Sequence, residues 1–207
     1  MTRIDRLVPG AGEKGRFLLH LSDGSLLKVT EGEVLDFSLY PGLELEEDAL
    51  SRLRQSAAAS ETRAAAARLA GARPLSRGEL LRRLEEKGAE PDHARAAADW
   101  LEELGALNDG EYARTVARHY ASRGYGPARV REELRRRQVP RELWDQALEE
   151  TADSADALDA FLARKLRGAA PDDQAARKRA AAALARRGFS WEDIRSALRR
   201  YGGGWED

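Results

Sequence analysis

Cysteine is absent from this 207-residue chain, which excludes disulfides, thiolate metal sites and cysteine nucleophiles and suits a reducing compartment. Aromatic residues make up only 6% of it, and methionine occurs once. Its cores must therefore be thin and built from Leu, Val and Ala. No apolar run is long: AAAALA at 180–185 is the longest and falls far short of a bilayer. The opening MTRIDRLVPGAG lacks the apolar stretch of a signal peptide, so a cytoplasmic chain without a membrane partner is expected. The GxxxxGK phosphate loop, the HExxH zinc motif, the GxSxG nucleophile turn and a Gly-rich dinucleotide turn are all missing. His20, His93 and His119 fall in three separate segments. The paired Glu85-Glu86, Glu102-Glu103 and Glu132-Glu133 point in different directions on a helix and read as surface charge balance. No enzyme, metal or cofactor is expected.

What the chain does have is charge. Asp, Glu, Lys and Arg make up 34%, the net charge is only -1 and the mean hydropathy is -0.62. That near-neutrality conceals segregation. Between Arg114 and Arg141 nine arginines face two glutamates, and residues 164–200 hold eleven Lys or Arg against four acids. The first 56 residues reverse the balance, with seven basic and ten acidic side chains. A polyanion or an acidic surface is the partner such asymmetry suits.

Residues 1–56 differ in pattern from the rest. RFLLHL at 16–21 and SLLKVT at 25–30 flank Ser22-Asp23-Gly24, which predicts a small β-hairpin, with Ile4 to Val8 as a third strand. Thr30-Glu31-Gly32-Glu33 fits a capping box opening a short helix that Pro41-Gly42 would stop, and Glu46-Glu47-Asp48 opens another. QSAAASE at 55–61 is either a junction or the middle of a long helix.

Beyond residue 60 a pattern repeats at an offset of fifty: Leu80, Leu84 and Gly88-Ala89 correspond to Val130, Leu134 and Gln138-Val139, and to Ala180, Leu184 and Gly188-Phe189. Ala94 and Ala98 match Trp144 and Leu148, then Ile194 and Leu198. An amphipathic helix precedes each copy, at Ala64 to Ala70, Tyr112 to Tyr120 and Leu158 to Leu166. The expectation is a mainly α chain of three tandem three-helix repeats, 57–107, 108–154 and 155–207, behind the hairpin-bearing segment 1–56. Ser76-Arg77-Gly78-Glu79 and Ser190-Trp191-Glu192-Asp193 read as helix starts, as does Gly126-Pro127. Gly88 and Gly188 suit left-handed helix ends, whereas Gln138 in that place costs roughly 1 to 2 kcal/mol.

The candidate site lies in RGYGPARVREELRRRQV, 123–139. Val130 and Leu134 should face the core, with Arg131 and Arg135 on one flank and Arg129 and Arg136 on the other, and Arg137 snorkelling beside the stripe. Tyr125 precedes the cap at Gly126, where open backbone amides suit a phosphate or carboxylate or, alternatively, a tight turn with Tyr125 packed on its core.

The run Ser76-Arg77-Gly78-Glu79-Leu80 to Lys87-Gly88, then Leu101 to Asp109, Arg123 to Pro127 and Ala185 to Phe189, resembles the RecX family of bacterial recombinase regulators. The match spans about residues 60–200, departing at Ala89, where the family commonly has an aromatic, and at Gln138, where it has Gly. The resemblance implies a curved, basic body of helical repeats. It also implies binding of the RecA recombinase and its filaments on single-stranded DNA, with contact to single- and double-stranded DNA. The consequence would be inhibition of filament growth, strand exchange, ATP hydrolysis and coprotease activity, in DNA repair, recombination and the SOS response, by a monomer. On that expectation Arg123, Tyr125, Gly126, Arg129, Arg131, Arg135 and Arg136 face the filament, and Arg186 and Arg187 repeat the contact one unit later. The alternatives are an independent helix-turn-helix-like DNA-binding protein, and a helical scaffold that touches no nucleic acid.

Overall fold

A computed structural model describes residues 1–10, 15–149, 154–168, 170 and 173–202. The chain forms two compact bodies, Met1–Pro74 with Leu80–Leu107, and Leu75–Glu79 with the residues from Asn108 onward.

The first body opens with β1 (Thr2–Pro9), β2 (Arg16–Leu21) and β3 (Leu26–Thr30). All pair antiparallel, in register Val8 to Leu18 and Leu18 to Lys28. The expected hairpin and third strand are therefore present. A fourth strand, β4 (Glu44–Leu45), pairs with β1 and gives the order β3-β2-β1-β4. Two residues are too few to show alternation, which is why the sequence pattern does not reveal it. Gly24 turns the hairpin at φ 82°, and the Asp23 carboxylate accepts from the Ser25 N–H and hydroxyl. Alternation puts Ile4, Leu19, Leu21 and Val29 on one face, where they share a core with Leu45 of β4 and with Leu50 and Leu53 of the following helix.

Thr30 caps α1 (Glu31–Asp36) through the expected box: Glu33 N–H donates to its hydroxyl, and its own N–H donates to the Glu33 carboxylate. The stop comes before Pro41-Gly42. Ser38 turns left-handed at φ 48°, and the Leu39 N–H closes on the Val34 carbonyl. Next, α2 (Glu47–Ala72) is a single helix that runs through 55–61, because nothing from Gln55 to Glu61 breaks it. Its first half covers the sheet, where Ser56 donates to Glu33 and Lys28 pairs with Glu61 at 3.1 Å. Its second half packs on α4 (Pro91–Glu103). Between them in the sequence comes α3 (Arg77–Glu85).

The second body holds α5 (Asp109–Ser122), α6 (Pro127–Arg136), a 3-10 turn (Arg141–Leu143) leading into α7 (Trp144–Glu149), α8 (Ser154–Lys165), α9 (Gln174–Arg186) and α10 (Trp191–Gly202). Val130, Leu134 and Val139 centre one core and Leu162, Leu184, Phe189 and Ile194 the next. Burying each such Leu is worth about 1.5 to 3 kcal/mol. The fifty-residue register is real in space. Leu84, Leu134 and Leu184 are each fully buried. Each accepts from the residue five positions on, Ala89, Val139 or Phe189, across a left-handed Gly88, Gln138 or Gly188 at φ 87°, 55° and 90°. Residues 150–153 and 203–207, at the ends of the expected second and third repeats, lie outside the described residues.

Candidate nucleic-acid and partner interface

The helix α6 has Gly126 as its N-cap and Pro127 at its first position, as the pattern predicts. Val130 and Leu134 turn inward, so the arginines divide between the flanks. Sequence reasoning takes Glu133 for surface charge balance, but its side chain is only 4% exposed. Spacings of three and four residues on one helix explain its place. Arg129, Arg136 and Arg137 all reach its carboxylate, at 3.3, 2.7 and 3.6 Å. Burial alone would raise the Glu133 pKa. Hydrogen bonds from Arg136 and Tyr120 and the charges of Arg136 and Arg137 outweigh it and hold the carboxyl below its ordinary value. Arg137 does not snorkel as expected. It is half-buried, donating to the Tyr112 hydroxyl at 3.0 Å and lying 3.6 Å from the Glu133 carboxylate, while its Nε is buried without a hydrogen-bond partner among the described residues.

These pairs sort the predicted residues. Arg129 is held by Glu132 at 2.6 Å as well as by Glu133, and Glu132 pushes its pKa further up. Arg136 is tied to Glu133, though its side chain stays 68% exposed. Arg131 makes a long 3.6 Å pair with exposed Asp145. Arg123, Arg135 and Arg186 are exposed, and none has a side-chain partner among the described residues. The structure thus brings Arg129 and Arg136 together on one carboxylate and leaves Arg123, Arg135 and Arg186 open.

The cap amides have an internal partner instead of an anion. Gly126 N–H donates to the Arg187 carbonyl at 2.9 Å and Ala128 N–H to the Gly188 carbonyl at 3.0 Å. Gly126 is therefore a close-approach glycine that lets the start of α6 meet the end of α9. The equivalent contact fifty residues earlier joins Ser76, whose hydroxyl donates to the Arg137 carbonyl, and Gly78, which abuts Gln138.

Arg187 is likewise committed. Its guanidinium donates to the Arg123 and Gly124 carbonyls at 3.2 and 3.1 Å and lies 5.7 Å from the Tyr125 ring and 5.0 Å from the Phe161 ring. Tyr125 packs on Tyr120 with ring centroids 5.5 Å apart, the core-packed alternative of the sequence reading. Two further residues escaped that reading. Phe161 and Arg164 on α8 stack with each other and border a recess of about 250 Å³ together with Arg123 and Arg187. Their spacing of three was the available signal. The recess contains three guanidinium groups and no carboxylate. Such a surface attracts phosphate or carboxylate.

Among the described residues no cluster of three or more His, Asp or Glu can hold a metal ion, and no helix is long and apolar enough to cross a membrane.

Two family models match: RecX, second three-helix domain, over residues 108–148, and RecX, third three-helix domain, over residues 152–198. Regulatory protein RecX of Pseudomonas entomophila is 40% identical over 123 residues, 59% of this chain and 79% of that protein. The Halorhodospira halophila counterpart is 34% identical over 147 residues, 70% of this chain and 91% of that protein. A crystal structure of regulatory protein RecX superposes with a TM-score of 0.70 at 19% identity, covering 97% of this chain and all of that one. That of RecX from Lactobacillus salivarius gives 0.65 at 18% identity, over 70% and 96%, and both are likenesses of fold. Tandem helical domains, a small N-terminal sheet and this degree of identity to proteins it largely spans lead to one conclusion: the chain belongs to the RecX family of regulatory proteins.

Proposed function

We propose that this chain is a cytoplasmic negative regulator of the RecA recombinase. It binds RecA and RecA filaments on single-stranded DNA, blocks filament growth and promotes disassembly, and so lowers strand exchange, ATP hydrolysis and coprotease activity. Family membership supports the regulatory role. The observation that carries the contact is the set of exposed guanidinium groups at Arg123, Arg135 and Arg186, which have no internal partner among the described residues. Guanidinium forks suit the phosphates of a DNA strand and the carboxylates of a protein surface alike. Arg131, weakly paired and exposed, joins them. Arg129 and Arg136 shape the face more than they bind, since Glu132 and Glu133 hold them in ion pairs along the helix. Tyr125, Gly126 and Arg187 hold its turn.

The test is ATP hydrolysis by preassembled RecA filaments on single-stranded DNA, titrated with this protein and with an Arg123→Glu/Arg135→Glu variant. Neither substitution touches an internal ion pair, so the variant should stay folded. Inhibition at substoichiometric protein that the variant loses is the expected result. An unchanged rate with dynamic filaments would overturn the regulator reading in favour of independent DNA binding.

A further inference from the structure

The first repeat has a hole that the third repeat fills with its own side chains. A cavity of about 570 Å³ opens beside α2 and the turn between α3 and α4, within the usual range for small-molecule sites. Leu84, Ala58, Ala65 and Ala89 form its apolar wall, and Thr62, Arg68, Lys87, Glu90 and His93 its polar side, with Glu61 at the edge engaged by Lys28. The fifty-residue register explains why it is empty. Ala89 stands where the second repeat buries Val139 and the third buries the ring of Phe189. The first helix contributes Thr62 and Ala66 to this core, against Leu158 and Leu162 in the third repeat. Glu90 and His93 stand where Ser190 and Asp193 form a reciprocal cap, the Asp193 carboxylate accepting from the Ser190 hydroxyl at 2.6 Å. In the first repeat Glu90 makes no side-chain cap bond, and His93 Nδ1 is buried without a hydrogen-bond partner. Lys87 has no ion pair among the described residues.

An aromatic ring at position 89 and a carboxylate at position 93 are thus the groups that the third repeat supplies and the first does not, the first carrying its own carboxylate at Glu90 instead. We propose that the cavity is a binding site for a small aromatic carboxylate, its ring against Leu84 and Ala89 and its carboxylate held by Lys87 and His93. The ring replaces missing apolar contact and the carboxylate gives the buried imidazole nitrogen its partner, while the exposed Lys87 ammonium at the rim adds attraction of charge. Glu90 and the Lys28-paired Glu61 border the site, so selectivity comes from ring and carboxylate together and not from net charge. The inference does not depend on recombinase regulation.

Phenylacetate is the probe, titrated into the full ¹⁵N-labelled chain with benzyl alcohol and acetate as controls that each carry half the ligand. Saturable shifts at Ala89 and His93 with phenylacetate, and none with either control at equal concentration, are expected. Ala89→Phe, which supplies the ring from within, and His93→Asp, which copies the third repeat, should each weaken binding about tenfold or more. Should Ala89→Phe fail to fold, His93→Asp decides. The absence of a saturable shift, an equal response to acetate or benzyl alcohol, or undiminished binding by the folded variants would overturn the proposal.

Discussion

Gly126 lies so close to Gly188 that a Cβ on Gly126 would fall 2.5 Å from the Gly188 carbonyl carbon, and one on Gly188 would fall 2.5 Å from the Arg129 nitrogen. Both neighbours are backbone and cannot turn aside. Gly188→Ala meets this clash and a φ of 90° together, so it should cost about 2 to 4 kcal/mol. Gly126→Ala meets the clash alone and should cost about 1 to 3 kcal/mol. Urea denaturation followed by circular dichroism measures both, and equal stability of Gly188→Ala and the parent would refute the close approach.

Glu133 gives a stability that depends on pH. Its pKa is lowered in the folded chain, so the ionised form favours folding above the ordinary carboxylate value, and that contribution fades as pH falls through the folded value. Glu133→Gln removes the single carboxylate charge that three arginines share and should cost about 2 kcal/mol at pH 7. The difference between variant and parent should shrink as pH drops below about 4.3. A difference independent of pH would show that packing, and not the charge, is what Glu133 supplies.

Gln138 occupies the left-handed turn that Gly88 and Gly188 occupy in the other repeats. Gln138→Gly should therefore stabilise the chain by about 1 kcal/mol, strain relief exceeding the added freedom of the unfolded state. Thermal unfolding tests this, and a lowered midpoint would mean that the Gln138 side chain contributes more than its backbone costs.

Arg123, Arg135 and Arg186 should act on single-stranded DNA as separate charges. Replacing any one with Gln should reduce the slope of log affinity against log salt by about 0.7, whatever the DNA sequence. Arg187→Gln should lower that slope by less, because its guanidinium donors already serve the Arg123 and Gly124 carbonyls although its charge is not neutralised by them. Fluorescence anisotropy over a salt series distinguishes the two groups.

The sequence by itself determined the local features. Capping at Thr30, Ser76 and Ser190 is settled within four residues, and the alternation of β2 and β3 and the recurrence of Leu84, Leu134 and Leu184 follow from periods of two and of fifty. Those patterns carried the mainly α class and the family resemblance. Tertiary structure decided that Glu133 is buried and that Arg187 is held by a distant turn, whereas the pairs of Arg129 and Arg136 with Glu132 and Glu133 are local to α6. Arg129, Arg136 and Arg187 look like Arg123, Arg135 and Arg186 in a string of letters, yet the first three are engaged by a buried carboxylate, by backbone carbonyls and by aromatic rings, even though Arg136 stays largely exposed. It likewise decided that the Gly126 amide meets a carbonyl sixty-one residues away and that Ala89 borders a cavity. The physical reason is range: caps, periodicity and the ion pairs along α6 are set by neighbours on one helix or strand, whereas desolvation and the partners of Arg187 depend on what the fold carries in from elsewhere.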